Sequence, residues 1–294
     1  MIFKKSTNIA GFFLLLTVFL SCQTSAQKVL EYTQFKNPEP VTIRGFDDHA
    51  MEPFVSRDGE YLFFNNSNAP GVNTEIHYAT RIDDLTYQYK GILKGASSDK
   101  LDGVPTMDEE GNFYFVSVRN YFNDFQTIYG GKFSGGDLTN VGIVYGISKK
   151  KLGHLNFDLE VSADGNTIYF VDGIFSGKPF PDKADIAIAV KREGKFKRLS
   201  GSEEILDKIN TKRLEYAPAI SEDELEIFFT RHMSKQKLGI FRAVRKEKDL
   251  PFGKPRWVSA IKGHIEAPTL SPDERSLYYH KKENGKFVIY RVTR

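Results

Sequence analysis

The stretch Glu52-Pro53-Phe54-Val55-Ser56-Arg57-Asp58-Gly59-Glu60-Tyr61-Leu62-Phe63-Phe64 decides the fold, because the chain returns to it four more times. A short apolar run, a Ser-x-Asp-Gly turn and an aromatic-rich run are what two antiparallel strands joined by a tight turn require. The later copies run from Val104 to Phe115, Asp158 to Phe170, Ala217 to Phe229 and Ala267 to Tyr279. Aligned on Pro53, Pro105, Leu159, Pro218 and Pro268, they are spaced by 52, 54, 59 and 50 residues. That is the period of a four-stranded propeller blade with long loops.

A third alternating strand follows each hairpin, at Glu75 to Arg81, Thr127 to Phe133, Asp185 to Lys191, Gly239 to Arg245 and Val288 to Arg294. An outer fourth strand is expected near Tyr89 to Leu93, Val141 to Tyr145, Phe196 to Leu199 and Arg256 to Ile261. The fifth unit has none, because Arg294 is the last residue. Its fourth strand is expected from the N-terminal side, around Val41-Thr42-Ile43 laid beside Val288 to Arg294, with Val29-Leu30-Glu31-Tyr32 also unassigned. Pairing the two ends of the chain removes the edges that an open sheet would expose. The expectation is an all-β, five-bladed propeller of four-stranded antiparallel blades, one domain over residues 27–294, with six blades as the alternative. Glu203 to Ile209 alone carries a helical pattern, in a loop between blades.

Residues 1–26 stand apart. Lys4-Lys5, the apolar run Gly11 to Leu20 and the small residues after it have the build of a secretory leader, too short for a membrane span. The single cysteine, Cys22, follows Phe19-Leu20-Ser21 and has no disulfide partner. That placement resembles a lipoprotein lipobox, which implies cleavage before Cys22 and lipidation of it. Cleavage after Thr24-Ser25-Ala26 is the other reading, and gives a freely secreted chain.

Aromatic residues make up 13% of the chain, as flat blades stacked through Phe and Tyr require. The net charge of +3 is spread along the chain, with Lys149-Lys150-Lys151 and Arg245-Lys246-Glu247-Lys248 as its densest clusters. Solvated turns account for these better than nucleic-acid binding does, and export would separate the protein from nucleic acid altogether.

The hairpins resemble the PD40 repeats of TolB-like β-propellers, in which Pro-x-aromatic-Ser-x-Asp-Gly leads into an Ile/Tyr-x-Phe strand. Pro53 to Phe64 and Asp158 to Phe170 match best. Asp108-Glu109-Glu110-Gly111, Glu222-Asp223-Glu224-Leu225 and Pro272-Asp273-Glu274-Arg275 depart in the turn. The resemblance implies a scaffold in the periplasm or anchored at the outer membrane of a Gram-negative-type envelope. Its partners would be envelope proteins, or an oligosaccharide or peptide at the channel mouth, and it implies no reaction and no cofactor.

At the level of that mouth, where the innermost strands begin, the chain places Asp47, Asp48, His49 and Glu52 in the first unit and Asp102 in the second. His154, Asp158 and Glu160 follow in the third, Glu215 in the fourth, and His264 and Glu266 in the fifth. An acid before an inner strand often ties down a neighbouring loop or amide, and that structural role is one reading. The other is chemical. Five-bladed glycoside hydrolases of the arabinanase type resemble this chain in Glu52-Pro53, Asp158 and Glu215-Tyr216-Ala217-Pro218, which implies Glu52, Asp158 and Glu215 as catalytic carboxylates. An inverting hydrolase needs a base and an acid of raised pKa separated by room for a water. Tyr216 is inserted before Ala217-Pro218, and Glu266-Ala267-Pro268 competes for the acid's place. His49, His154 and His264 precede three repeats without metal-ligand spacing, so no metal is expected. No Gly-x-Ser-x-Gly elbow is present either.

Overall fold

The computed structural model describes residues 29–69, 72–178, 180–234 and 237–294. The leader and Cys22 lie outside the described residues.

Three short strands come first, β1 (Glu31–Tyr32), β2 (Lys36–Pro40) and β3 (Thr42–Arg44). Blade 1 is β4 (Met51–Val55), β5 (Tyr61–Asn65), β6 (Ile76–Asp83) and β7 (Thr86–Ile92). Blade 2 is β8 (Asp102–Met107), β9 (Asn112–Ser117), β10 (Ile128–Ser134) and β11 (Asp137–Ile143), with the single turn α1 (Tyr121–Asp124) after β9. Blade 3 is β12 (His154–Val161), β13 (Thr167–Ile174), β14 (Lys183–Arg192) and β15 (Lys195–Arg198). The turn α2 (Ser202–Ile205) then leads to blade 4, β16 (Glu215–Ile220), β17 (Glu226–Ser234), β18 (Lys237–Val244) and β19 (Arg256–Val258). Blade 5 is β20 (Ile265–Leu270), β21 (Ser276–Glu283) and β22 (Lys286–Thr293), completed by β2. The fold is the expected five-bladed propeller.

Its closure differs from expectation by a few residues. The strand beside β22 is Lys36–Pro40, antiparallel, with Lys36 opposite Thr293 and Pro40 opposite Tyr290. Val41 still donates its N–H to Ile289 O at 2.8 Å, and the next residue crosses to blade 1, where Thr42 N–H reaches Leu85 O at 2.8 Å. Thr42–Arg44 and Glu31–Tyr32 add fifth, parallel strands to β7 and β19. The prolines at 38 and 40 disguise the closing strand, but an outermost strand has a free side where a missing N–H costs nothing.

Each blade is too thin to have an interior, so the core is divided among the blade interfaces. Five clusters of buried side chains fill the five gaps, typified by Phe63 against Phe113 between blades 1 and 2 and by Leu62 and Val55 with Tyr278 between blades 1 and 5. The last of these seals the ring. The Ser-x-Asp turns also recur as one structure: Ser56, Ser162, Ser221 and Ser271 donate their hydroxyls to Asp58, Asp164, Asp223 and Asp273 at 2.5–2.7 Å. A left-handed residue follows each of these turns, Gly59 and Gly165 in two copies and Glu224 and Glu274 in the two departing ones.

Candidate functional site

Every innermost strand carries a β-bulge at the same place, and the bulged residue is left-handed: Glu52, Val104, Asp158, Ala217 and Ala267, with φ between 46° and 55°. A bulge frees one backbone N–H from the ladder, and a buried N–H must find an acceptor. The preceding blade's second strand supplies it in three cases. Asn65 Oδ1 accepts from Val104 at 3.0 Å, Thr230 Oγ1 from Ala267 at 3.1 Å and His280 Nδ1 from Glu52 at 3.1 Å. The equivalent residue in blade 3 is the apolar Val171. There the Asp158 carboxylate reaches across instead and accepts from Ala217 N–H at 3.1 Å.

The bulge also sorts the acids by register, since neighbouring residues of a strand face opposite ways. Asp102 and Glu215 stand two residues before the bulge and turn away from the channel. Fully buried, Glu215 accepts from Thr211 N–H (3.0 Å), Thr211 Oγ1 (2.7 Å) and Arg231 Nε (2.8 Å). Asp102 repeats the arrangement with Ser98 N–H (2.5 Å), Ser98 Oγ (2.7 Å) and Arg119 Nη2 (2.6 Å). Glu266 and Tyr216 stand one residue before the bulge and face the mouth, where Glu52 and Asp158 join them from the bulges themselves.

These four residues floor a cavity of about 590 Å³. Its walls are apolar, chiefly Val104, Val116, Leu155, Phe157, Phe175 and Leu214. Among the described residues no Lys or Arg side chain pairs with the three carboxyls; Lys100, at the rim, pairs with Asp99 at 3.0 Å. Burial accordingly raises all three pKa values. Glu266 and Asp158 are pushed up to about 7, the latter also by the charge of Glu266. Glu52 is held well above the carboxylate range by burial and then by Asp158 and Glu266, against a 2.7 Å hydrogen bond from Asn68. Burial also raises the Tyr216 hydroxyl.

His280 lies beneath this floor, with no solvent exposure. Its Nε2 is 3.8 Å from Glu266 Oε2, and its Nδ1 is 3.9 Å from Glu52 Oε1. Ligating atoms of Glu52, Glu266 and His280 fall within 4.8 Å of one another. Nδ1, however, accepts the Glu52 N–H, so the proton of the neutral ring sits on Nε2, and burial lowers the ring's pKa to about 3. A protonated Nε2 has no lone pair to give a metal. The trio is two carboxyls and a donor, and that donor is buried without a hydrogen-bond partner.

The remaining expected residues do not join the floor. Asp48 and His49 belong to a loop, where His49 Nδ1 accepts from Phe287 N–H at 3.0 Å. His154 faces a separate cavity between blade 3 and the connection around α2, with Lys149, Asp172 and Arg198. His264 is half-exposed at the margin, its Nε2 3.8 Å from Glu266 Oε1. Glu160 lies farther along the channel, where it lines a second, small space with Pro53, Pro105, Pro218 and Pro268; Arg57 crosses from blade 1 to donate to Glu160 Oε1 (2.7 Å) and Val161 O (2.6 Å). His280, Asn68 and the wall residues escaped the sequence reading. The signal for His280 was the polar residue that follows the apolar, aromatic-rich run of the second strand in four of the five copies, at Asn65, Ser117, Thr230 and His280.

No family model and no curated protein matches this chain. Solved structures do. TolB of Acinetobacter baumannii aligns over 84% of this chain at 15% identity and a TM-score of 0.49, and the chain spans 55% of TolB's length. A family 117 glycoside hydrolase of the marine bacterium Zobellia galactanivorans aligns over 88% of this chain and 90% of its own, at 13% identity and a TM-score of 0.51. A gluconolactonase of Xanthomonas campestris aligns over 91% of this chain and 98% of its own, at 11% identity and a TM-score of 0.51. At such identities the likeness is one of fold.

Proposed function

We propose that the chain is an exported binding protein of the PD40 propeller type that receives a small, largely apolar ligand in the mouth cavity. Cys22 is its lipid anchor in the envelope. The observation that carries the binding role is a cavity of about 590 Å³ with apolar walls and a few convergent polar groups, within the size range of small-molecule sites. The acids with structural partners, Asp102 and Glu215, are distinct from those facing the cavity. The neutral reporter N-phenyl-1-naphthylamine should brighten on binding wild type and stay dark with Leu155→Trp, which fills the cavity. Equal fluorescence with both proteins, at equal melting temperatures, would remove the cavity from the account.

One observation favours a second reading. Carboxyl oxygens of Glu52 and Glu266 lie within 4.8 Å, near the spacing of about 5–5.5 Å used by retaining glycosidases rather than the wider inverting one. In a hydrolase Glu266 would then take the acid's role assigned from sequence to Glu215. Glu52 and Asp158 already hold hydrogen bonds within the ring, and the walls offer few polar groups for sugar hydroxyls, so binding without turnover is preferred. Cleavage of arabino-oligosaccharides that is lost in Glu266→Gln would reverse that preference.

A further inference from the structure

We propose that the ligand of the mouth cavity is an organic cation, an ammonium group carried on an apolar body. The inference rests on the reading of the cavity as a ligand site and adds the chemistry of what fills it.

Among the described residues the three carboxyls of the floor have no basic partner, whereas the two acids two residues before the bulge each hold an arginine, Arg119 or Arg231. Buried acids without a counter-charge must keep protons or gain a cation. An ammonium brings three N–H donors to a floor of acceptors. Its apolar body would lie against Val104, Val116, Leu155, Phe157 and Phe175, which line the cavity above.

His280 is the independent sign that the floor is incomplete. It is wholly buried, and its Nε2–H stops 3.8 Å from Glu266 Oε2 with no other acceptor. That distance is beyond hydrogen-bond range. A protonated Glu266 is a weak acceptor, and an ionised one is strong. A cation that draws the proton off Glu266 therefore gives the His280 N–H its partner, and one ligand satisfies both groups. A bare divalent ion fits less well, since it calls for about six to eight oxygens while one wall of its shell would be the His280 donor.

The ionisable groups facing the three carboxyls are Tyr216 of β16, His232 of β17, His264, His280 of β21 and the rim pair Asp99–Lys100. Burial lowers the pKa of all three histidines, so none supplies a positive charge near neutrality. Binding of a cation should thus strengthen from pH 5.5 to pH 8 as the carboxyls ionise.

The test is displacement of bound N-phenyl-1-naphthylamine by three probes of one shape: 2-phenylethylammonium, 2-phenylethanol and phenylacetate. The ammonium should bind about tenfold or more tighter than the alcohol at pH 8, a difference of about 1.4 kcal/mol, and the carboxylate weakest. In Glu266→Gln and Asp158→Asn the ammonium's advantage should fall to about threefold or less. Alcohol binding as well as ammonium, displacement by calcium chloride alone, or failure of all three probes against a bound reporter would overturn the cation while leaving the cavity reading intact. A reporter that never binds wild type would overturn both.

Discussion

Glu215 and Glu266 occupy neighbouring registers of equivalent inner strands, in blades 4 and 5, and have opposite surroundings. Glu215, two residues before its bulge, is fully buried and saturated by Thr211 and Arg231. Glu266, one residue before its own, faces an apolar cavity and has no cation, with His280 and His264 each 3.8 Å away. A single step along a strand separates an acid that holds the ring together from one that the ring strains to accommodate. The same divide runs through the other acids: Asp102 falls with Glu215, Glu52 with Glu266. Asp158 belongs to both, since it caps Ala217 N–H and faces the cavity.

The largest effect should come from the paired side. Glu215→Ala leaves Arg231 buried without its partner, which costs about 3–5 kcal/mol. Urea denaturation would measure it, and a loss below about 1 kcal/mol would erase the distinction between the two sets.

On the unpaired side the sign reverses and depends on pH. Glu266 has an ordinary pKa of 4.5 and a folded one of about 7. Below the ordinary value it is protonated in both states and carries no penalty. Between the two values the unfolded chain ionises while the folded one keeps its proton, so stability falls. Above the folded value the penalty is constant. Glu266→Gln should therefore match wild type near pH 4 and exceed it by about 1–3 kcal/mol at pH 8. A melting-temperature difference that stays flat across that range would break the comparison.

The bulge caps sharpen it further. Thr230→Val keeps the shape but orphans the Ala267 N–H, at a cost of about 1–2 kcal/mol. Asp158 should give the smallest net change. Asp158→Asn keeps an acceptor for Ala217 while removing the unpaired charge, so it should equal or slightly exceed wild type at pH 8, and Asp158→Ala should fall below it. Equal losses in both would reduce Asp158 to a cap.

The fold was legible because the hairpin phrase and its turn chemistry are local. Ser56-Arg57-Asp58-Gly59 makes its own hydrogen bonds within a few residues, and copies of it count the blades. That an N-terminal strand closes the ring was legible, but its bounds were not, because Pro38 and Pro40 disguise Lys36–Pro40 until the ring supplies an outer edge that tolerates them. The site was half legible. Acids recur before the inner strands, but which of them face the cavity depends on the distance to a bulge that leaves no composition signal. Val104, Ala217 and Ala267 are ordinary residues in left-handed conformations. His280 came to lie beneath the floor only once Tyr278-Tyr279-His280 was placed beside Glu52 of the first blade, across the seam of the ring.

Among the described residues the cavity acids have no counter-charge, and they should hold protons near neutrality. The direct measurement is a carbon NMR titration of the side-chain carboxyls in protein labelled at Asp and Glu, assigned with Asp158→Asn and Glu266→Gln. The Asp158 and Glu266 resonances should titrate close to pH 7, near the values of about 7 to which burial pushes them. Titration of both near pH 4, in the ordinary carboxylate range, would contradict it.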